Sequence, residues 1–260
     1  MRSSIPFRSL VSIIMVNEFA ENYIKKTIES VRQQTYENWE LIIVENLSKD
    51  DSSSEIKEIM MEDSRIKLVT LQEPISHAEA CNFGITMARG RYLAFINNDD
   101  IWPHHKLEKQ LEFMEAHNIG FSCTDYQIID ESNKAYEPII VMPEQTTYSS
   151  FLHNVNLIAG STVMIDRYII GKIQLTSNEN IPEESALWLS IFKRGFKAYA
   201  IKEVLLFKRR HNHSLDEDEY KKASKVWSLY RHVEKLNIFE SAYCFMNNAK
   251  SEAKYRNLKN

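Results

Sequence analysis

Three groups of residues in this chain have the types and spacing to do chemistry. The run Phe95-Ile-Asn-Asn-Asp-Asp-Ile-Trp102 sets Asn97, Asn98, Asp99 and Asp100 directly after an apolar segment, Tyr92 to Ile96. If that segment is a strand of an open α/β sheet, the acids stand at its carboxyl end. Such sheets bind ligands there, and carboxylate oxygens suit a hard divalent cation and a phosphate. The simpler reading is that one of the four caps a helix beginning near Pro103, since Asp and Asn cap well and Pro suits a first turn. A second acidic pair, Glu183-Glu184, follows Pro182. It reads either as the first turn of a helix, favoured by the helix dipole, or as the source of a general base. The third group is Lys208-Arg209-Arg210-His211 with His213. Its cations suit a diphosphate, or form a solvated loop beside Asp216-Glu-Asp-Glu219.

The elements that would position these groups follow from apolar periodicity. Val11 to Val16 reads as a strand, and Ile24, Ile28 and Val31 then fall on one helical face. Leu41 to Val44 is the next strand, followed by a helix through Ile56 and Met60. Ile66 to Leu71, a helix from His77 to Ala88 ending at Gly90, and the strand Tyr92 to Ile96 continue the alternation. Four repeats of strand and helix predict right-handed crossovers and a mainly parallel sheet, with the loops after Val16, Val44 and Ile96 on one edge. A helix through Leu107, Leu111 and Met114 leads to a hairpin, Phe121 to Ile129 and Tyr136 to Met142 about the turn Asp130 to Lys134. Beyond it come a strand at Thr162 to Ile165, a helix with Leu187, Trp188, Leu189 and Ile191, and two strands, Ala198 to Ile201 and Val204 to Phe207. Helix is expected beyond Ser214. Trp188 reads as core, and His104 and His105 as surface residues of a first helical turn.

Bulk properties narrow the class. A chain of 260 residues that is 43% hydrophobic buries a core and is not disordered. Its net charge of −4 gives no basic field, so nucleic acid is not an expected partner. The three cysteines, Cys81, Cys123 and Cys244, are far apart and form no C-x-x-C pair, which argues against disulfides and zinc. The apolar run Leu10 to Val16 falls far short of the ~20 residues that span a bilayer, and a cytoplasmic protein is expected. Neither a dinucleotide-binding fingerprint nor a P-loop is present, so any bound phosphate needs a metal or basic side chains. The stretch from Lys221 combines Lys221, Lys222, Lys225, Arg231 and Lys235 with Val226, Trp227, Leu229, Tyr230 and Phe239. It reads equally as a helix lying on an anionic membrane surface or as one packing its aromatics on the main domain.

Taken in order, the segments resemble the inverting family-2 glycosyltransferases of the GT-A fold, and among them the bacterial branch that builds lipopolysaccharide side chains and capsules. The matching segments are Val11-Ser-Ile-Ile-Met15; Ile28-Glu-Ser-Val-Arg-Gln-Gln-Thr-Tyr36 with Trp39-Glu-Leu-Ile-Ile-Val44; Asn82-Phe-Gly-Ile85 with Ala88-Arg-Gly-Arg-Tyr92; the Asn-Asp run with Lys106-Leu-Glu-Lys-Gln110; Ser161-Thr-Val-Met-Ile-Asp166; and Glu183-Glu-Ser-Ala-Leu-Trp-Leu189. The resemblance implies a GT-A-like α/β domain over residues 1–214, with a donor-binding half and an acceptor-binding half, and a packed helical extension over 215–260. It implies a nucleotide-sugar donor, commonly UDP-linked, and a glycan or lipid-linked oligosaccharide acceptor. It also implies Mg²⁺ or Mn²⁺ as cofactor, and the membrane reading of the stretch from Lys221 would add peripheral association with the inner membrane face.

Carried over by position, the resemblance makes Glu184 the catalytic base and Asp99 the principal metal ligand, with His211 completing the metal or diphosphate site. Val16, Glu45, Asn46, Asn82, Asn97, Asn98, Asp99 and Arg209 become the donor-binding set. Several positions depart from the family pattern, Glu184 among them, since the family has an Asp there. Val16-Asn-Glu-Phe19 replaces the usual Pro-Thr-Tyr-Asn, Glu45-Asn46 replaces paired acids, Cys81 replaces an Arg, and Asn97 replaces the first acid of the metal-binding D-x-D element. A second reading of those departures is a nucleotide-sugar- or glycan-binding homologue impaired in catalysis. A nucleotidyltransferase is a third, opposed by the missing Gly-rich phosphate loop.

Overall fold

The computed structural model describes residues 9–18, 23–46, 52–210 and 219–257. Its first hundred residues follow the predicted alternation. Strands β1 (Val11–Asn17) and β2 (Trp39–Glu45) are buried at every position, as strands covered by helices on both faces must be. Between them α1 (Ile24–Arg32) buries Ile24, Ile28 and Val31. Then come α2 (Ser52–Glu62), β3 (Ile66–Thr70), α3 (His77–Met87) and β4 (Tyr92–Phe95). A capping box starts α3, with the Ser76 hydroxyl accepting from Glu79 N and the Glu79 carboxylate accepting from Ser76 N. The strands pair in parallel in the order β3-β2-β1-β4, which puts the loops after β1, β2 and β4 on one edge.

The second half is mixed. Helix α4 (Lys106–His117) leads to the expected hairpin, β5 (Phe121–Ile129) and β6 (Ala135–Ile140). Then follow β7 (Gln145–Thr146), α5 (Tyr148–Leu152), a 3₁₀ turn at Gly160–Thr162, β8 (Met164–Asp166), α6 (Arg167–Ile170), α7 (Glu183–Lys193) and β9 (Ala198–Arg209). Strand β8 inserts antiparallel between β4 and β5, and β9 runs parallel to β5. Strands β1 to β5 and β9 therefore point one way and β6 to β8 the other, a mixed and mostly parallel sheet flanked by helices. Trp188 is 1% exposed and meets the Phe95 and Phe121 rings edge-on, at centroid distances of 6.0 and 5.1 Å, so it is core as its spacing predicts.

Two local expectations are corrected. The helix expected near Pro103 starts at Lys106, with His105 at its N-cap and no side-chain capping bond, so neither Asn98 nor either Asp caps it. The two strands expected at 198–207 are one, β9, because Ile201 stands opposite Thr124 and Val204 opposite Asp125, which bulges Lys202 and Glu203 outward. Glu203 pairs there with Lys109 and meets His105 Nε2 at 2.9 Å, so His105 is partly buried in a hydrogen-bond contact.

Beyond the sheet, α8 (Glu219–Ser228), a π-helical turn (Leu229–Val233) and α9 (Ile238–Asn257) pack on α5 and α7. The Tyr230 hydroxyl donates to Leu152 O at 2.6 Å, Lys193 reaches the buried Glu234 carboxylate at 2.8 Å, and Val155 N donates to Asn248 Oδ1 at 3.1 Å. The expected boundary at 214/215 lies outside the described residues. No helix among those described is long and apolar enough to cross a membrane.

A buried carboxylate locks the edge of the sheet opposite the ligand edge. Glu40, 3% exposed, accepts from Ser12 Oγ at 2.7 Å, Lys67 Nζ at 2.6 Å and Arg89 N at 2.9 Å. Burial alone would raise its pKa, yet these donors hold it at about 2. A depressed folded pKa means stability that is present above the unfolded value of 4.5 and lost as pH falls toward about 2. Glu40→Gln should cost about 2 kcal/mol in urea unfolding at pH 7. The gap to wild type should close as unfolding is repeated between pH 4.5 and 2.

Candidate active site

The acidic run sits where β4 ends. Ile96 N still donates to Ile14 O at 3.0 Å, and the chain then turns through Asn97, Asn98 and Asp99. Asp100 turns inward and is 1% exposed. Its Oδ2 accepts from Ser161 Oγ at 2.6 Å and Asn97 Nδ2 at 3.2 Å, and its Oδ1 from Arg209 N at 2.9 Å. Burial and the neighbouring Asp99 charge push its pKa up to about 7, against the pull of Lys208. Asn98 donates from Nδ2 to Glu18 O at 2.9 Å and Asn17 Oδ1 at 3.3 Å, which joins the loop after β4 to that after β1.

The turn Gly160-Ser161-Thr162 ties this run to the second acidic pair. Gly160 N donates to Glu184 Oε2 at 3.1 Å, and Ser161 Oγ accepts from Asn97 N at 3.0 Å while donating to Asp100. Ser161 O receives Trp102 Nε1 at 2.9 Å, and Thr162 O receives Gln110 Nε2 at 3.0 Å and Lys106 Nζ at 3.3 Å. Lys106 is fully buried beneath the turn, and burial pushes its pKa down to about 7. A Cβ on Gly160 would stand 2.1 Å from Glu184 Oε1, so only glycine lets the carboxylate lie against this turn. From the other side, Pro182 caps the start of α7 and Ser185 Oγ donates to Val155 O at 2.7 Å.

Glu184 opens into a cleft of about 790 Å³ that Glu18, His77, Glu183, Lys208 and Lys225 also line. His77 pairs with Glu18 at 3.8 Å. Its bond to Glu18 raises its pKa against burial, with Glu184 and Glu183 adding to the effect. Burial raises Glu183, partly offset by His77 and Lys225.

Successive residues of β9 face opposite ways, and this decides which cation the cleft receives. Arg209 donates from Nε to Asp99 O at 2.9 Å, from Nη1 to Asp130 O at 2.7 Å and from Nη2 to Asn133 Oδ1 at 2.6 Å, and it covers the Tyr23 ring. It therefore fastens the acidic run to the β5–β6 turn. Lys208 lines the cleft instead. Burial opposes its charge, but Tyr126, Asp100, Glu184 and Asp99 raise its pKa. The sequence points to Arg209 and His211 within the cationic group rather than Lys208 and assigns no role to Gly160 or Ser161; alternation along a strand continued through Arg209 is the signal that separates Lys208 from Arg209.

The remaining expected residues divide. Val16 is buried in β1. Both Glu45 oxygens are bonded, one by the Ser53 hydroxyl and the other by Thr70 Oγ1 at 2.9 Å. Asn46 brackets Ile75, accepting from its N at 3.0 Å and donating to its O at 2.7 Å, and also donates to Glu18 at 2.5 Å. Asn82 brackets Leu175 in the same way, at 2.8 Å in both directions, and so anchors the segment that leads to Glu183. Cys81 is buried and its thiol pKa is raised by that burial. His211 lies outside the described residues.

Among the described residues, no three His, Cys, Asp or Glu side chains converge to hold a metal. Asp100 is committed to its hydrogen bonds, and Asn97 turns its amide nitrogen to Asp100, so the oxygens this run could turn to a cation are those of the Asp99 carboxylate and the Asn97 carbonyl. That set is too small to hold a cation alone. It fits Mg²⁺ or Mn²⁺ shared with a diphosphate, since such ions take one or two carboxylates and draw other oxygens from phosphate and water.

The family model described as "Glycosyl transferase family 2" matches residues 11–174. Bacillus subtilis (strain 168) TuaG, named as a teichuronic acid biosynthesis glycosyltransferase, is 38% identical over 96% of this chain and 98% of its own length. Escherichia coli WfgD, a UDP-Glc:alpha-D-GlcNAc-diphosphoundecaprenol beta-1,3-glucosyltransferase, is 34% identical over 85% of each chain. Among solved structures, S. aureus TarS 1-349 in complex with UDP-GlcNAc superposes with a TM-score of 0.69 at 17% identity, covering 92% of this chain and 70% of its own. The mannosyltransferase PcManGT from Pyrobaculum calidifontis, in complex with GDP-Man and Mn²⁺, gives 0.64 at 13% identity, covering 95% and 75%. These two share the fold.

Ser161→Ala removes the hydroxyl that bridges Asn97 N and the buried Asp100 carboxylate. Unfolding in urea should show a loss of about 1–3 kcal/mol, the cost of leaving such groups one partner short.

Proposed function

The chain belongs to glycosyl transferase family 2, and from that premise we propose that it transfers a sugar from a nucleoside-diphosphate donor, UDP-linked, to a hydroxyl of a cell-surface glycan acceptor. The transfer inverts the anomeric carbon and takes place on the cytoplasmic side. The acceptor is lipid-linked, as the name of WfgD states for that relative. The observation that carries this reading is Glu184, held by Gly160 N in a cleft it shares with Lys208.

With Oε2 anchored, Oε1 is the oxygen placed to take a proton. An acceptor hydroxyl gives that proton to Glu184 while its oxygen bonds the anomeric carbon, and the bond to the diphosphate breaks on the opposite face. The departing diphosphate keeps the electron pair, and Lys208 supplies positive charge beside it. Mg²⁺ or Mn²⁺, held by Asp99 with Asn97 and with His211 as a further ligand, would add Lewis-acid charge at the same oxygens. Val16, Asn46 and Asn98 shape the nucleoside side of the pocket. Glu45, Asn82 and Arg209 serve it indirectly, by fixing the loops that border it. Against the binding-only alternative stands Glu184, a carboxylate held by Gly160 N at the cleft.

Two variants test the base. Glu184→Gln should lower kcat by roughly 10³-fold, within the range for losing a general base, and leave donor Kd unchanged. Turnover within three-fold of wild type, measured as UDP release across a panel of acceptors, would remove Glu184 from the mechanism. Gly160→Ala should lower kcat by about 10²-fold through misplacement of the same carboxylate. Its Tm should stay within a few degrees of wild type, because the displaced atoms are the end of a flexible side chain.

A further inference from the structure

The C-terminal helices divide their apolar residues in a way the sequence alone leaves open. Val226, Leu229 and Tyr230 are buried against the domain, and Trp227 meets Phe245 edge-on at 5.8 Å, so the aromatic side of α8 and the π turn belongs to the core. Helix α9 keeps a second apolar face outside. Phe239, Tyr243 and Met246 are 84%, 58% and 54% exposed. They recur at i, i+4 and i+7, and the next position of that stripe is the exposed Lys250. The opposite side of α9 buries Ser241, Cys244 and Asn248. Ile238, at the first turn, is 58% exposed as well.

Charge selects what this face meets. Residues 219–257 hold eight Lys and Arg against four Glu, a balance of +4 in a chain of net −4. Of the acids, Glu234 is buried against Lys193 and Glu252 bonds Asn248 and Asn156. Lys221, Lys222, Lys235 and Lys250 are exposed. Rings and a thioether flanked by lysines suit the headgroup boundary of an anionic bilayer, where apolar groups enter the acyl region and ammonium groups stay with the phosphates. A second copy of this acidic chain offers no such charge match.

We infer that the outer face of α9, through Phe239, Tyr243 and Met246 with Lys235 and Lys250, is a docking surface for an anionic phospholipid bilayer. This deepens the lipid-linked acceptor reading, on which its biological sense rests. Helix α8 lines the cleft with Lys222, Lys225 and Val226, so the helix pair that meets the bilayer also borders the cleft that holds Glu184. Helices α8 and α9 pack on each other around a shared groove lined by Ala223, Phe245 and Ala249.

The test is flotation of the full chain with vesicles of phosphatidylcholine alone or with 30% phosphatidylglycerol. The bound fraction on anionic vesicles should exceed that on neutral ones at least ten-fold and fall with added salt. Phe239→Ser/Tyr243→Ser/Met246→Ser, and separately Lys235→Gln/Lys250→Gln, should each reduce it by ten-fold or more, with UDP release on a water-soluble acceptor unchanged. Equal binding to both vesicles, or binding that survives the triple substitution, would overturn the inference. So would a dimer in light scattering that the triple substitution dissolves. Vesicle binding that behaves as expected in a chain that turns over no donor would leave the docking surface standing and remove the transferase reading.

Discussion

The contact on which the site depends is between the backbone of a three-residue turn and the acids of two different elements. Gly160 N holds Glu184, Ser161 Oγ holds Asp100 and receives Asn97 N, and the Ser161 and Thr162 carbonyls receive the side chains of Trp102, ahead of α4, and of Gln110 within it. Glu184 and the acidic run belong to segments more than eighty residues apart. Among the described residues, this turn, set just before the antiparallel β8, is hydrogen-bonded to both. The insertion of β8 between β4 and β5 is what brings it there, so sheet topology and site geometry are one arrangement. A side chain at position 160 would break the link to Glu184 without disturbing the strand order.

The same contact accounts for Asn97. In the family pattern this position is an acid, and here that would set a third carboxylate beside Asp99 and the buried Asp100. Burial, with the Asp99 charge adding to it, already lifts the Asp100 pKa to about 7. An amide at 97 supplies Asp100 with a donor at 3.2 Å instead of another negative charge. The loss of one formal charge for a cation is thereby coupled to stability in the acidic run, with Lys208 balancing Asp99, Asp100 and Glu184 from the facing strand.

Much of the fold was legible because its signals are local. Apolar runs of β-branched residues gave β1, β2 and β4, helical spacing gave α1, α4 and α7, and Trp188 read correctly as core. The capping explanation for the Asn-Asp run failed because Asp100 is claimed by Ser161 and Arg209, partners remote in sequence. Asn46, Asn82, Glu45 and Arg209 show the same limit. Their residue types suit a ligand, yet each bonds to its own protein through contacts that depend on how loops meet. Lys208 was hidden for a related reason: choosing between adjacent cations needs the register of β9, which a two-residue bulge at Lys202-Glu203 shifts.

Helix α7 gives the two ends of the molecule a common frame. Its first turn carries Glu183 and Glu184, and its last residue, Lys193, bonds the buried Glu234 that follows the π turn. Eleven residues at about 1.5 Å each make a rod of roughly 16 Å. Its buried residues, Ala186 to Leu189 with Ile191 and Phe192, leave it little freedom to tilt. Glu234 also receives the Tyr148 hydroxyl from α5, and the segment after α5 supplies Val155 N to Asn248 of α9 and Val155 O to Ser185 of α7. The C-terminal helices are thus fastened to both ends of the element that carries Glu184. Whatever fixes their outer face in space also fixes the direction in which the cleft opens, and on the proposed reading Glu184 needs no movement of its own to meet an acceptor delivered from that side.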